Sequence, residues 1–209
     1  MPPLSDTKLI FTVLSTAVFI FAFGNYLRDM FRTTTKPHIY TWLIWTITQG
    51  IAVAGLWYGN GGWGSLALTI SAVFVFLVFL FSLRYGTRNI TKSDTAVLAV
   101  ALLSIVVWQG LHNPLFAVVM ASAVDVMGYL PSFRKTFEEP WSENAVSWAA
   151  FSVANILSIL ALAAYNPLTL TYLVAITVAN SILLAICLTR RLTVPQPASQ
   201  EPVQDLPPA

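Results

Sequence analysis

Seven long apolar runs constrain what this chain can fold into more than any other feature. They lie at about 8–27, 39–58, 64–84, 95–111, 114–131, 145–165 and 167–189. A helix needs about 20 apolar residues to cross a bilayer, and these runs are of that order. Charged residues make up 10% of the chain and hydrophobic ones 56%. A soluble domain usually carries about 25% charged residues, so too few polar groups are present here to cover a water-facing surface. The fourth and fifth runs are separated only by His112-Asn113-Pro114. Proline cannot continue the preceding helix and suits a first helical turn, so they are expected to be two spans; the alternative is one long kinked helix and six spans.

The basic residues test that choice, because cytoplasmic loops carry the excess of lysine and arginine. With seven spans, ten of the eleven lie on one side: Arg28, Arg32, Lys36, Arg84, Arg88, Lys92, Arg134, Lys135, Arg190 and Arg191. Lys8 alone lies on the other. Fusing the fourth and fifth spans moves Arg134, Lys135, Arg190 and Arg191 to the opposite face. The expected topology is a multi-pass cell-membrane protein with its N-terminus outside and its C-terminus in the cytoplasm. The flank of the first run holds Asp6 and Lys8, not a basic stretch, so it is read as a retained helix rather than a signal peptide. Residues 192–209 hold five prolines and no aromatic residue, a composition of disordered cytoplasmic tails.

Several function classes fall away. A net charge of +2 without a basic tract gives no reason to expect nucleic acid. Cys187 has no partner for a disulfide, and His38 and His112 fall on opposite membrane sides, so no metal or other cofactor is expected. No Ser/His/Asp set, metal-ligand spacing or phosphate-binding glycine loop is present, which argues against an enzyme. Asn89-Ile90-Thr91 matches a glycosylation sequon but falls on the cytoplasmic side.

The chain also repeats itself. Tyr26-Leu27-Arg28-Asp29-Met30-Phe31-Arg32 parallels Tyr129-Leu130-Pro131-Ser132-Phe133-Arg134-Lys135, 103 residues later. The same offset links Pro37 to Pro140 and Trp45 to Trp148. Each match begins at the cytoplasmic end of one span, crosses a short basic loop and enters the next. The organisation expected is an all-α membrane protein of seven transmembrane helices: a three-helix repeat at 1–94, a linker helix at 95–113, a second repeat at 114–191, and the tail. First spans of the two repeats differ by four crossings, so the repeats are parallel, related by an axis along the membrane normal.

This 3-1-3 layout, the outside N-terminus and Tyr129-Leu130-Pro131-Ser132 resemble the SWEET and PQ-loop (MtN3-like) superfamily. The segment from Asp125 through Pro131 and Arg134-Lys135 to Pro140 and Glu143 is similar to uncharacterised bacterial integral membrane proteins of that kind. The resemblance implies a solute carrier that hinges at a proline ending the first helix of each repeat, here Pro131. Arg28 stands where the first repeat would have that proline, and Ser132 stands where glutamine often follows it. Pro195-Gln196 lies in the tail, away from any such position.

Polar groups inside spans are costly and so mark candidate sites. Asp125 is the only acidic residue inside an expected span, six residues before Pro131, or about 9 Å from the cytoplasmic end. A buried carboxyl suits proton coupling; the alternative is a structural hydrogen bond to Arg28, Arg134 or a helix end. Trp45 and Gln49 share one face of the second span, as Trp148, Ser152 and Asn155 do in the sixth. An amide and a hydroxyl beneath an indole can stack on and hydrogen-bond a polar ligand. Asn180 lies ten residues before Arg190, about 15 Å deep. The resemblance assigns Asn180 and Trp148 to a substrate site; equally, such amides join helices to one another. Trp42, Trp57, Trp63, Trp108 and Trp141, nearer span ends, are expected as interfacial anchors. The expected function is a carrier of a small polar solute, facilitative or proton-coupled, surrounded by lipid, with oligomerisation open. The alternative is a receptor or scaffold that binds a ligand or protein partner without transport.

Overall fold

The computed structural model describes residues 6–32, 37, 39–86, 92–111 and 113–196. Among them the regular elements are helices: α1 (Asp6–Phe31), α2 (Ile39–Tyr58), α3 (Ser65–Tyr85), α4 (Lys92–Leu111), α5 (Pro114–Glu138), α6 (Ala145–Ala161) and α7 (Pro167–Arg191). Single 3-10 turns lie at Gly62–Gly64 and Pro140–Ser142. Asp6–Phe31, Ile39–Tyr58, Gly62–Tyr85 and Pro167–Arg191 are long and apolar enough to cross a membrane, and Pro114–Leu130 and Ala145–Ala161 are shorter apolar helices. Lys36, His38, Arg88, the sequon at 89–91, His112 and the tail at 197–209 lie outside the described residues, as do the side chains of Trp108, Pro131, Arg134 and Lys135.

Asparagines set three helix starts by accepting bonds from otherwise orphaned N–H groups. Asn113 accepts from Phe116 N at 3.1 Å, Asn144 from Ser147 N at 3.0 Å, and Asn166 forms a capping box with Thr169. Pro114 and Pro167 occupy first-turn positions that need no N–H donor. Among the ends that differ from the sequence expectation, two have a visible cause. α6 stops at Ala161 instead of reaching 165, because Leu162 turns extended and the chain must open to let Asn166 cap α7. α5 runs on through Pro131 to Glu138. Proline removes one intrahelical bond without forcing a stop when flanking turns hold, and Thr136 Oγ1 donates to Ser132 O at 2.7 Å just beyond it.

The helices pack in a patterned way. α3 lies against α1 and α2, and α7 lies against α5 and α6. The two groups meet along α1 with α6 and along α2 with α5, while α4 covers α2 and α5. Lys8 Nζ, in the first turn of α1, donates to Leu162 O and Ala163 O just past α6, and Asn144 before α6 donates to Asp29 near the end of α1 at 3.0 Å. These helices are therefore antiparallel. Asn166 Nδ2 to Gly59 O at 2.7 Å and Ala163 N to Gly61 O at 3.0 Å bring the α2–α3 turn to the same end as Lys8. Arg28, Arg84, Arg190 and Arg191, in the last turns of α1, α3 and α7, stand at the opposite end.

The distribution of polarity is inverted relative to a soluble bundle. Leu14, Phe21, Val73, Phe76, Val106, Val119, Val153 and Val178 face outward from mid-helix. Thr48, Gln49, Ser71, Ser122, Asp125, Ser152, Asn155, Ser158 and Asn180 are buried. Water would not favour that arrangement; hydrocarbon does, because it tolerates apolar exteriors and forces polar groups to find partners within the protein. These are the dimensions and composition of an α-helical membrane protein.

Glycine permits one close crossing on the Lys8 side. A Cβ at Gly64 would lie 2.5 Å from Ala161 O and 2.7 Å from Leu162 N, backbone atoms that cannot step aside. Gly50 has nothing within 4 Å. Gly64→Ala should therefore destabilise by about 1–3 kcal/mol, whereas Gly50→Ala should be neutral or stabilising by up to about 1 kcal/mol. Unfolding titrations of the purified protein in bicelles distinguish the two.

Candidate functional site

α5 presents Asp125 and Tyr129 four residues apart, hence on one face. α2 packs antiparallel against that face and delivers Trp45, Thr48 and Gln49; α7 delivers Tyr172 and Asn180. Two levels result. At the first, the Asp125 carboxyl is 2% exposed, and its Oδ1 accepts from Thr48 Oγ1 and from Tyr172 Oη, the latter at 3.1 Å. Gln49 lies against the Tyr172 hydroxyl. One turn along α5, the Tyr129 hydroxyl donates to Asn180 Oδ1 at 2.7 Å. Its ring sits between two indoles, 5.3 Å from Trp45 and 6.0 Å from Trp148.

Two polar atoms here are buried without a partner among the described residues, Trp45 Nε1 and Gln49 Oε1; Asn155 Oδ1 on α6 is likewise unpartnered. Each such atom costs about 1–3 kcal/mol relative to a satisfied one. Gly128, adjacent to Tyr129, places no side chain over the Trp45 nitrogen; a Cβ there would approach it to 3.0 Å.

Of the residues singled out by sequence, Trp45, Trp148 and Asn180 converge on Tyr129, and Gln49 stands beside the Asp125 cluster. Ser152 instead donates to Trp148 O of its own helix at 3.0 Å. Trp148 Nε1 donates to Glu143 at 3.0 Å. Pro131 lies two residues beyond Tyr129 in the continuing α5 backbone. Asp125 is held by hydroxyls rather than by Arg28, which pairs with Asp29 at 3.3 Å. Trp42 is a correction: it is 5% exposed and packs between Tyr26 and Trp45, at 5.0 and 5.3 Å, because the α1–α2 end is closed by aromatic rings rather than open to an interface. Trp57 and Trp141 also have internal partners, Thr69 and Val194.

Thr48, Tyr129 and Tyr172 were missed as site residues. In the sequence Tyr129 marks the repeat, and its spacing of four from Asp125 is the signal that puts both on one face. Thr48 adjoins Gln49 in sequence, yet only helix packing shows which of the two turns to α5. No family model, curated protein or solved structure matches this chain.

The hydroxyl clamp is testable by a mutant cycle. Thr48→Val and Tyr172→Phe should each cost about 1–3 kcal/mol of unfolding free energy. In an Asp125→Leu background each should cost less by about 1 kcal/mol or more. Additive losses would show that these hydroxyls do not act through the carboxyl.

Proposed function

We propose that the protein is a seven-span membrane carrier of a small polar solute, SWEET-like in its 3-1-3 plan, with its site between the two repeats. Its N-terminus lies outside and its C-terminus in the cytoplasm, so the end bearing Arg28, Arg84, Arg190 and Arg191 faces the cytoplasm.

The repeat reading is supported by contacts that recur at the offset of 103. α1–α3 and α2–α3 packing corresponds to α5–α7 and α6–α7, and α1–α6 corresponds to α5–α2. At residue level, Ser15 meets Ser158 at 2.7 Å between α1 and α6. Their equivalents, Val118 and Gly55, also face each other: a Cβ on Gly55 would run into Val118 Cγ2. Pro37 O lies against Gly86 at the end of α3, and the equivalent Pro140 O accepts from Arg191 at the end of α7.

The observation that carries the function is the polar seam between those units. Trp45, Thr48 and Gln49 of the first unit face Asp125 and Tyr129 of the second, and unpartnered polar atoms remain there. A merely structural seam gains nothing from orphaned donors and acceptors, whereas a solute site needs them. Proton coupling places the exchangeable proton on Asp125. Asp125→Asn keeps the shape and one acceptor but cannot exchange a proton. In reconstituted vesicles it should abolish uphill, pH-driven uptake while passive exchange at saturating solute persists. Driven uptake that survives the substitution unchanged would remove proton coupling; equal loss of driven and passive flux with lower stability would make the carboxyl structural.

A further inference from the structure

We infer that the solute recognised at this seam is a small organic ammonium ion bearing an oxygen acceptor, of the amino-alcohol type. The inference rests on the carrier reading and names its substrate class.

The buried carboxyl comes first. The bonds to Asp125 come from the hydroxyls of Thr48 and Tyr172, neither of which carries charge. The described basic residues Lys8, Arg28, Arg32, Arg84, Lys92, Arg190 and Arg191 stand at helix ends or just beyond them, turns away from its level. Among the described side chains, the titratable groups facing it are Tyr172 and, one turn along α5, Tyr129. A buried carboxylate without a cationic partner is strongly disfavoured, so the site holds either a proton or a cation that it binds.

Independent of the carboxyl is Gln49. It is only 7% exposed, and its Oε1 has no donor among the described residues. An unpartnered carbonyl on the residue after Thr48, against the Tyr172 hydroxyl that bonds the carboxylate, adds a second acceptor to the same cluster and suits an N–H-bearing ammonium better than a neutral sugar hydroxyl. One turn along, Tyr129 between Trp45 and Trp148 supplies aromatic faces of the kind that attract cations and cover apolar carbon. At that same level Trp45 Nε1 is a buried donor without an acceptor, left clear by Gly128. A ligand that satisfies both levels has an ammonium at one end and an oxygen about 5 Å away, the rise of one turn. Proton and ammonium compete for one carboxylate, so the natural mode is exchange of one for the other.

The test is equilibrium binding to the purified full chain in nanodiscs, with linear amino alcohols of two to five carbons against diols of the same length and glucose. Thermal stabilisation and indole fluorescence report occupancy. At least one amino alcohol should bind saturably and about tenfold or more tighter than its diol. Asp125→Asn and Trp45→Phe should each weaken it by about tenfold, and sodium chloride at equal concentration should not replace it. Gln49→Leu gives the same reading if Asp125→Asn fails to fold. If diols or glucose bind as well as the amines, the substrate class is wrong and the carrier reading stands. If no solute in the panel binds, both are overturned.

Discussion

A carboxyl buried among lipid-facing helices must have its hydrogen bonds supplied from inside the protein, and that requirement organises this bundle. Asp125 on α5 takes hydroxyls from α2 and from α7. Those bonds fix the rotation of three helices at once, because Thr48 and Tyr172 each reach the carboxyl from only one face of their helix. Tyr129, on the same stripe of α5, is then directed toward Asn180 and between the two indoles. Outside this seam the helices pack through small residues and aromatics, and their exteriors are free to be uniformly apolar.

The two halves share contacts but not chemistry. At the offset of 103, Asp125 corresponds to Ala22, Thr48 to Phe151, and Tyr172 to Thr69. Around Ala22 the helices are joined by rings: Phe23 lies 5.3 Å from Phe74 and 5.0 Å from Phe151, and Phe19 lies 6.5 Å from Phe151. The seam at Ala22 is thus joined by rings, with Ser15 and Ser158 bonded further along it, whereas the seam at Asp125 is a polar junction with unsatisfied atoms.

The helical bundle was legible in the sequence because apolar length and proline position are local signals. The apolar runs gave the helices, and Pro114 after His112-Asn113 gave the start of α5. The ends of α5 and α6 were less legible, since they depend on whether neighbouring turns compensate a proline or release a loop. Within the site, residues that are rare inside spans stood out: Asp125, Gln49 and Asn180. Threonine and tyrosine did not, because both are common in membrane helices, and their role is set by the helix opposite. Trp42 was misplaced for the same reason. Position near a span end says nothing of whether Tyr26 and Trp45 cover the indole.

The central claim is that two three-helix units meet along α1–α6 and α2–α5. Cysteines at Ser15 and Ser158, with Cys187 replaced and a protease site inserted between residues 87 and 91, test it most directly. The serine hydroxyls are 2.7 Å apart across the junction of the units. Oxidation in native membranes, followed by cleavage, should leave the two fragments covalently joined on a non-reducing gel and released by reductant. Fragments that separate without reductant would contradict the account.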